Sequence, residues 1–285
     1  MNVGIVGLGL IGGSFAKALN AGGVKVIAFD IDNETLDAAM ADSVKEKLTS
    51  NNINKCDLII LATFPKHCVD WLKENAPKIN KETIVIDVAG TKRGICKECF
   101  KVAKSYGFTF IGAHPMAGTQ FSGYAHAKST MFQGAPMILV CDPALDDMSR
   151  VIAIDKVQNI LAPCEFGFYT QTTAEHHDKV IAYTSQLAHV ISSSYANNPL
   201  ALEHDGFSAG SWKDLTRVAW LNPKMWSELF LENSDFLSEC ISQTIKNLKR
   251  CKKAIDDNNK EELEKFLSEG DSIKREAERL EEKND

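Results

Sequence analysis

The chain has 285 residues, 44% of them hydrophobic, and a formal net charge of −6, so it can bury one large core or two smaller ones. The acidic balance, with no basic stripe, excludes nucleic acid as a partner, because phosphate binding needs clustered Lys and Arg. No run reaches the roughly 18 apolar residues of a membrane span, and the glycine-rich start MNVGIVGLGLIGG lacks the positive flank of a targeting peptide. A cytoplasmic protein with no membrane partner is expected, and its eight cysteines read as reduced, mostly buried thiols.

In chain order, short β-rich runs occur at NVGIV (2–6), VKVIAFD (24–30), DLIILA (57–62), TIVIDV (83–88), FTFIGA (108–113) and PMILV (136–140). Apolar runs without strict alternation suit parallel strands covered on both faces. Helical segments lie between them, among them 34–43 and 93–107, the latter closing on Gly107. A helix at 147–161 and a short run at 165–170 complete this half. The class expected is α/β: an N-terminal, doubly wound, mostly parallel Rossmann domain.

From Thr172 the pattern turns helical. Residues 172–196 carry a 3.6-residue period, with Thr172 and Glu175 in capping-box spacing. Segments 222–255 and 260–283 also read as single helices. The expected organisation is a dinucleotide-binding domain over 1–170 and an all-helical substrate-binding and dimerisation domain over 171–285. Helices as long as 222–255 leave apolar faces that a small domain cannot cover alone, which points to a homodimer.

The first strand runs into Gly7-Leu8-Gly9-Leu10-Ile11-Gly12 and then a helix. Gly7 allows the tight turn, Gly9 lets the backbone approach a pyrophosphate, and Gly12 allows close helix packing over the phosphate site. Asp30 ends the second strand at close to the roughly 20-residue spacing of the acid that holds ribose hydroxyls. A carboxylate there repels a 2′-phosphate, and no Arg follows it, so NAD is the expected cofactor. Thr63, just after run 57–62, joins this cofactor-binding group.

Strand 108–113 delivers Ile111-Gly112-Ala113-His114-Pro115-Met116-Ala117-Gly118 to the carboxyl edge of the sheet, where open α/β folds bind ligands. A neutral His114 there can take a proton from a hydroxyl. The order GLGLIGGS, IDVAGTK, HPMAGTQFSG, EHHDKVIAYTSQLAH and KDLTRVAWLNPKMW, spread over nearly the whole chain, resembles the prephenate/arogenate dehydrogenase family. The resemblance implies a Rossmann domain followed by a helical dimerisation domain. It also implies NAD-dependent oxidative decarboxylation of prephenate to 4-hydroxyphenylpyruvate in tyrosine biosynthesis, or of arogenate to tyrosine. In that reaction a cyclohexadienol carbon gives up hydride, carbon dioxide leaves and the ring becomes aromatic.

By resemblance His114 takes the catalytic position. Arg217 binds a substrate carboxylate, His189 contacts the substrate, and Lys213 and Trp226 line its pocket. His177 and Asp178 are expected to serve helix-start polarity and hydrogen bonding near the domain junction. Two positions depart from the family. Gly90 stands where a serine is common in the loop after strand 83–88, and the catalytic hydroxyl is expected from the adjacent Thr91 on a shifted loop or from a water in its place. Gln120 stands where an acidic residue is frequent, on the substrate side.

Competing readings are a β-hydroxyacid or imino-acid reductase, which places a catalytic lysine on the second domain, and a non-catalytic NAD-sensing regulator, which needs a partner-binding module. A zinc site at Cys96 and Cys99 lacks a second pair.

Overall fold

The computed structural model describes residues 1–281. In chain order the first elements are β1 (Asn2–Val6), α1 (Leu10–Ala21), β2 (Lys25–Phe29), α2 (Asn33–Asp42), β3 (Glu46–Lys47), β4 (Leu58–Leu61) and α3 (Pro65–Asn75). There follow β5 (Ile84–Asp87), α4 (Arg93–Tyr106), β6 (Thr109–Pro115), β7 (Pro136–Cys141), α5 (Asp147–Leu161) and β8 (Phe168–Gln171). The eight strands form one sheet in the order β3-β2-β1-β4-β5-β6-β7-β8. All neighbours pair in parallel except β6 with β7. From β1 the chain winds outward first through β2 and then, from β4, to the other side, so the carboxyl end of β1 lies at a topological switch point.

The apolar runs are continuous because both faces of the sheet are covered. Ile5, Leu58, Ile60, Ile86 and Ile111 feed one core. Val6, Ile59, Leu61, Val85 and Phe110 feed the other. Helix α4 ends as expected on Gly107, whose φ of 83° is the left-handed conformation that glycine adopts without strain.

Beyond the sheet run α6 (Ala174–Ile181), a π-helical segment (Ala182–Leu187) and α7 (Ala188–Ala196), which together form one rod. Then come α8 (Gly210–Thr216), α9 (Pro223–Glu232), α10 (Ser234–Asp256) and α11 (Lys260–Glu281). The rod is capped by Thr173, whose side chain accepts from His176 N–H, and not by Thr172. Thr172 is held to the sheet, its N–H donating to Leu139 O at 3.0 Å. The single helix expected over 222–255 is two helices, because Asn233 leaves the helix to take three hydrogen bonds through its side chain, two of them fully buried. Of the helix expected over 260–283, the last two residues lie outside the described ones.

By compactness the chain divides into two units, Met1–Asn233 and the segment from Ser234 onward. In the second unit α10 and α11 form a helical hairpin. Arg250 clamps it by donating to Glu262 at 2.6 Å and to Glu269 at 2.5 Å. Among the described residues no helix is long and apolar enough to cross a membrane.

Candidate active site

The glycine loop sits at the switch point. Gly7 has a φ of 91°, and a Cβ on it would lie 2.6 Å from Ala62 O and 3.4 Å from Thr63 Cβ, so only glycine fits and Thr63 lies beside the loop. A Cβ on Gly12 would lie 1.9 Å from Gly7 O. Asp30 braces the turn, accepting from Leu8 N–H at 2.6 Å and from Asp32 N–H at 2.9 Å.

This cradle fits a dinucleotide. The space over Gly9 is open, with no atom within 4 Å of where a Cβ would stand. The first turn of α1, which holds Leu10, Ile11 and Gly12, has no side-chain cap and no acidic residue. Its N–H groups are therefore left to an anion such as a pyrophosphate.

The carboxyl end of β6 carries His114, which is partly accessible. Its Nδ1 lies 2.9 Å from His177 Nε2, and His177 Nδ1 lies 2.7 Å from Asp178 Oδ1. Asp178 also accepts from Lys92 N–H at 2.7 Å, Arg93 N–H at 2.9 Å and Arg93 Nε at 3.2 Å. The network assigns the tautomers. A carboxylate can only accept, so His177 Nδ1 carries the proton and His177 Nε2 accepts. His114 Nδ1 then donates, and His114 Nε2 keeps its lone pair.

Charge follows the same order. Burial drives the His114 imidazole well below the ordinary histidine value, helped by His177 and the Lys92 ammonium. Burial also lowers His177, against the pull of Asp178. Burial alone would raise Asp178, but the hydrogen bonds from His177, Arg93 and Lys92 hold it below the usual carboxylate value. The line from Asp178 to His114 thus ends on a neutral imidazole suited to accept a proton.

A second group forms on α7, α8 and α9. His189 stacks on Trp226, with ring centroids 3.9 Å apart, and donates from Nδ1 to Ser185 O at 2.8 Å. Burial and the nearby charge of Arg217 lower its pKa. Arg217 and Lys213 are exposed one helical turn apart, and no ion pair holds either among the described residues. The π segment explains how one rod serves both groups. At about 100° per residue, His177 and His189 would be about 120° out of phase, and the one residue a π-bulge inserts brings them to within about 20°. Asn233 donates both to the main-chain carbonyl of Asp178, before the π segment, and to the side chain of Gln186, within it.

Among the described residues Thr91 makes no hydrogen bond to His114. It is buried, and its hydroxyl donates to Glu232 at 2.5 Å. Gly90 faces Leu229, 3.3 Å from where a Cβ would stand. Gln120 is exposed on the loop after β6, and its side chain makes no hydrogen bond among the described residues.

Two features escaped the sequence reading. The contact of His177 with His114 joins residues far apart in the chain, although the HHD element was the available signal. The other is Lys92, a fully buried lysine whose ammonium donates to Asp87 and, at 2.8 Å, to Ala113 O. Its cue was a lysine fixed shortly after an aspartate at a strand end, in DVAGTK.

Residues 15–169 match the family described as prephenate dehydrogenase, nucleotide-binding domain, and residues 173–269 match prephenate dehydrogenase, dimerization domain. The chain belongs to the prephenate dehydrogenase family. As a member it is an NAD-linked oxidoreductase. It is 29% identical to prephenate dehydrogenase of Bacillus subtilis over 92% of this chain and 72% of that one. It is likewise 29% identical to cyclohexadienyl dehydrogenase of Zymomonas mobilis, over 89% and 88%. Prephenate dehydrogenase from A. aeolicus, solved in complex with hydroxyphenyl propionate and NAD+, superposes with a TM-score of 0.82 at 25% identity, covering 97% of this chain and 98% of that one.

Proposed function

We propose that this chain oxidatively decarboxylates prephenate to 4-hydroxyphenylpyruvate, with His114 accepting the proton of the ring hydroxyl. The observation that carries the reading is the hydrogen-bonded line Asp178–His177–His114, which leaves a neutral Nε2 lone pair at the carboxyl edge of the sheet. NAD, when bound, accepts the hydride. Gly7, Leu8, Gly9, Leu10, Ile11, Gly12 and Thr63 line its place, and Asp30 holds the ribose hydroxyls as well as the turn.

As His114 Nε2 draws the proton from the hydroxyl, electron density rises on the carbon that bears it, and the C–H pair can leave as hydride. The bonding pair of the departing carboxylate moves into the ring as carbon dioxide leaves. The new phenolic oxygen then recovers a proton. His177 steadies the imidazolium formed in between by accepting from its Nδ1–H, and Asp178 steadies His177 in turn.

Arg217 binds a substrate carboxylate through its planar fork, with Lys213 adding charge and His189 and Trp226 forming an aromatic wall. Gln120 stands at the entrance. Thr91, with its hydroxyl given to Glu232, shapes the loop and does not donate to the substrate. The chain works as a homodimer, with a cofactor domain that ends near residue 170.

Steady-state kinetics with prephenate and arogenate, each with NAD and NADP, test the assignment. Highest kcat/KM for prephenate with NAD is expected. A preference for arogenate would move the substrate and leave the chemistry in place. Turnover of neither would overturn the reading.

A further inference from the structure

We infer that Lys92 is a positioning residue that ties both ends of the Asp178–His177–His114 line to one rigid point, and so sets the distance over which the proton is held. This rests on the reading of His114 as the proton acceptor.

Lys92 is the residue before α4, and its two halves face opposite ends of the line. Its main-chain N–H and that of Arg93 hold the two oxygens of Asp178 at 2.7 and 2.9 Å. Its ammonium, fully buried, donates to Ala113 O, the carbonyl of the residue before His114. The same ammonium donates to Asp87 at the end of β5. Asp87 in turn accepts from Ala89 N–H at 2.9 Å, which fixes the loop that returns to Lys92.

β5 and β6 are already paired, with Asp87 opposite Gly112, so the lysine is not needed to hold these strands together. What it adds is a link from the end of β6 to the carboxylate on α6, two elements that have no main-chain ladder between them. Burying an ammonium is costly unless its hydrogen bonds are satisfied. An apolar pair in place of Lys92 and Asp87, both fully buried, would fill the same volume without that cost, which argues for a positioning role. Displacements of about 1 Å at a reacting group can cost on the order of 100-fold in rate.

Lys92→Met alone would leave the Asp87 carboxyl buried without its partner, so the test is made in the Asp87→Asn background. Full-length wild type, Asp87→Asn and Asp87→Asn/Lys92→Met are compared by prephenate kinetics, NAD binding and long-range proton–nitrogen correlation spectra of the histidine rings. In the double variant kcat should fall about 10- to 100-fold, with KM and the NAD Kd changed less than about 3-fold. The rings of His114 and His177, each protonated at Nδ1 in the wild type, should become tautomer mixtures.

Wild-type kcat together with wild-type ring signals would overturn the inference. Should the double variant fail to fold, Asp87→Asn decides alone, with about a 10-fold loss in kcat and mixed tautomers expected, and wild-type values for both overturning it. His114→Asn is measured alongside. Full turnover in that variant would defeat the proton-acceptor reading, while the His177 ring signal would still test the placement by Lys92.

Discussion

At the scale of single residues, histidine protonation links activity to stability. His114 and His177 are both held below the ordinary histidine value, first by burial. In the unfolded chain the same rings titrate near 6.5. Below that pH the unfolded chain binds more protons than the folded one, so stability is present above about pH 7 and is lost as pH falls through 6.5 toward the depressed folded values. The acid limb of kcat/KM should therefore lie below the ordinary histidine range, and Tm should drop on acidification from pH 7 to 5. A pH profile with its acid limb at or above about 6.5 would contradict the assignment of His114. Asp30 carries a second prediction. Because it braces Leu8 N–H at 2.6 Å and is proposed to hold the ribose hydroxyls, Asp30→Ala should weaken NAD binding and narrow its advantage over NADP. Comparing kcat/KM for both cofactors checks this, and a wild-type preference for NADP would refute it.

At the scale of elements, much of the site was legible because it lies where regular periodicity breaks. The strand-to-helix turn at Gly7 and the strand end at His114 could be read directly. β3 could not, since two residues, Glu46 and Lys47, carry no pattern. The break at Asn233 was also hidden, because an asparagine amid LENSD reads as a helix surface until its buried partners are known. The join of His177 to His114 depends on how α6 crosses β6, and no local spacing encodes that. Lys92 was missed because lysine is among the residues least often fully buried. The α8 to α9 region yields a further prediction. Arg217 is exposed beside the His189–Trp226 stack, so its loss should act mainly on substrate binding. Arg217→Ala should raise KM about 10- to 100-fold, since each charged hydrogen bond contributes about 1.5 to 3 kcal/mol, with Arg217→Lys impaired to a smaller degree. An unchanged KM in a folded Arg217→Ala protein would remove it from the site.

At the scale of the whole molecule, the helical half exposes several large apolar side chains. Leu202 and Phe207 are 93% and 94% accessible, and Ile245, Leu248, Ile255, Leu267 and Ile273 are exposed along α10 and α11. A chain that matches a dimerization-domain family over 173–269 should cover these faces with a second copy. Sedimentation at micromolar concentration should give twice the 31.4 kDa chain mass, and a fully active monomer would contradict it. The central claim, that His114 takes the proton, is tested most directly by prephenate turnover in His114→Asn. The account predicts a kcat lower by about 10² to 10⁴ with the NAD Kd unchanged, and turnover near the wild-type rate would contradict it.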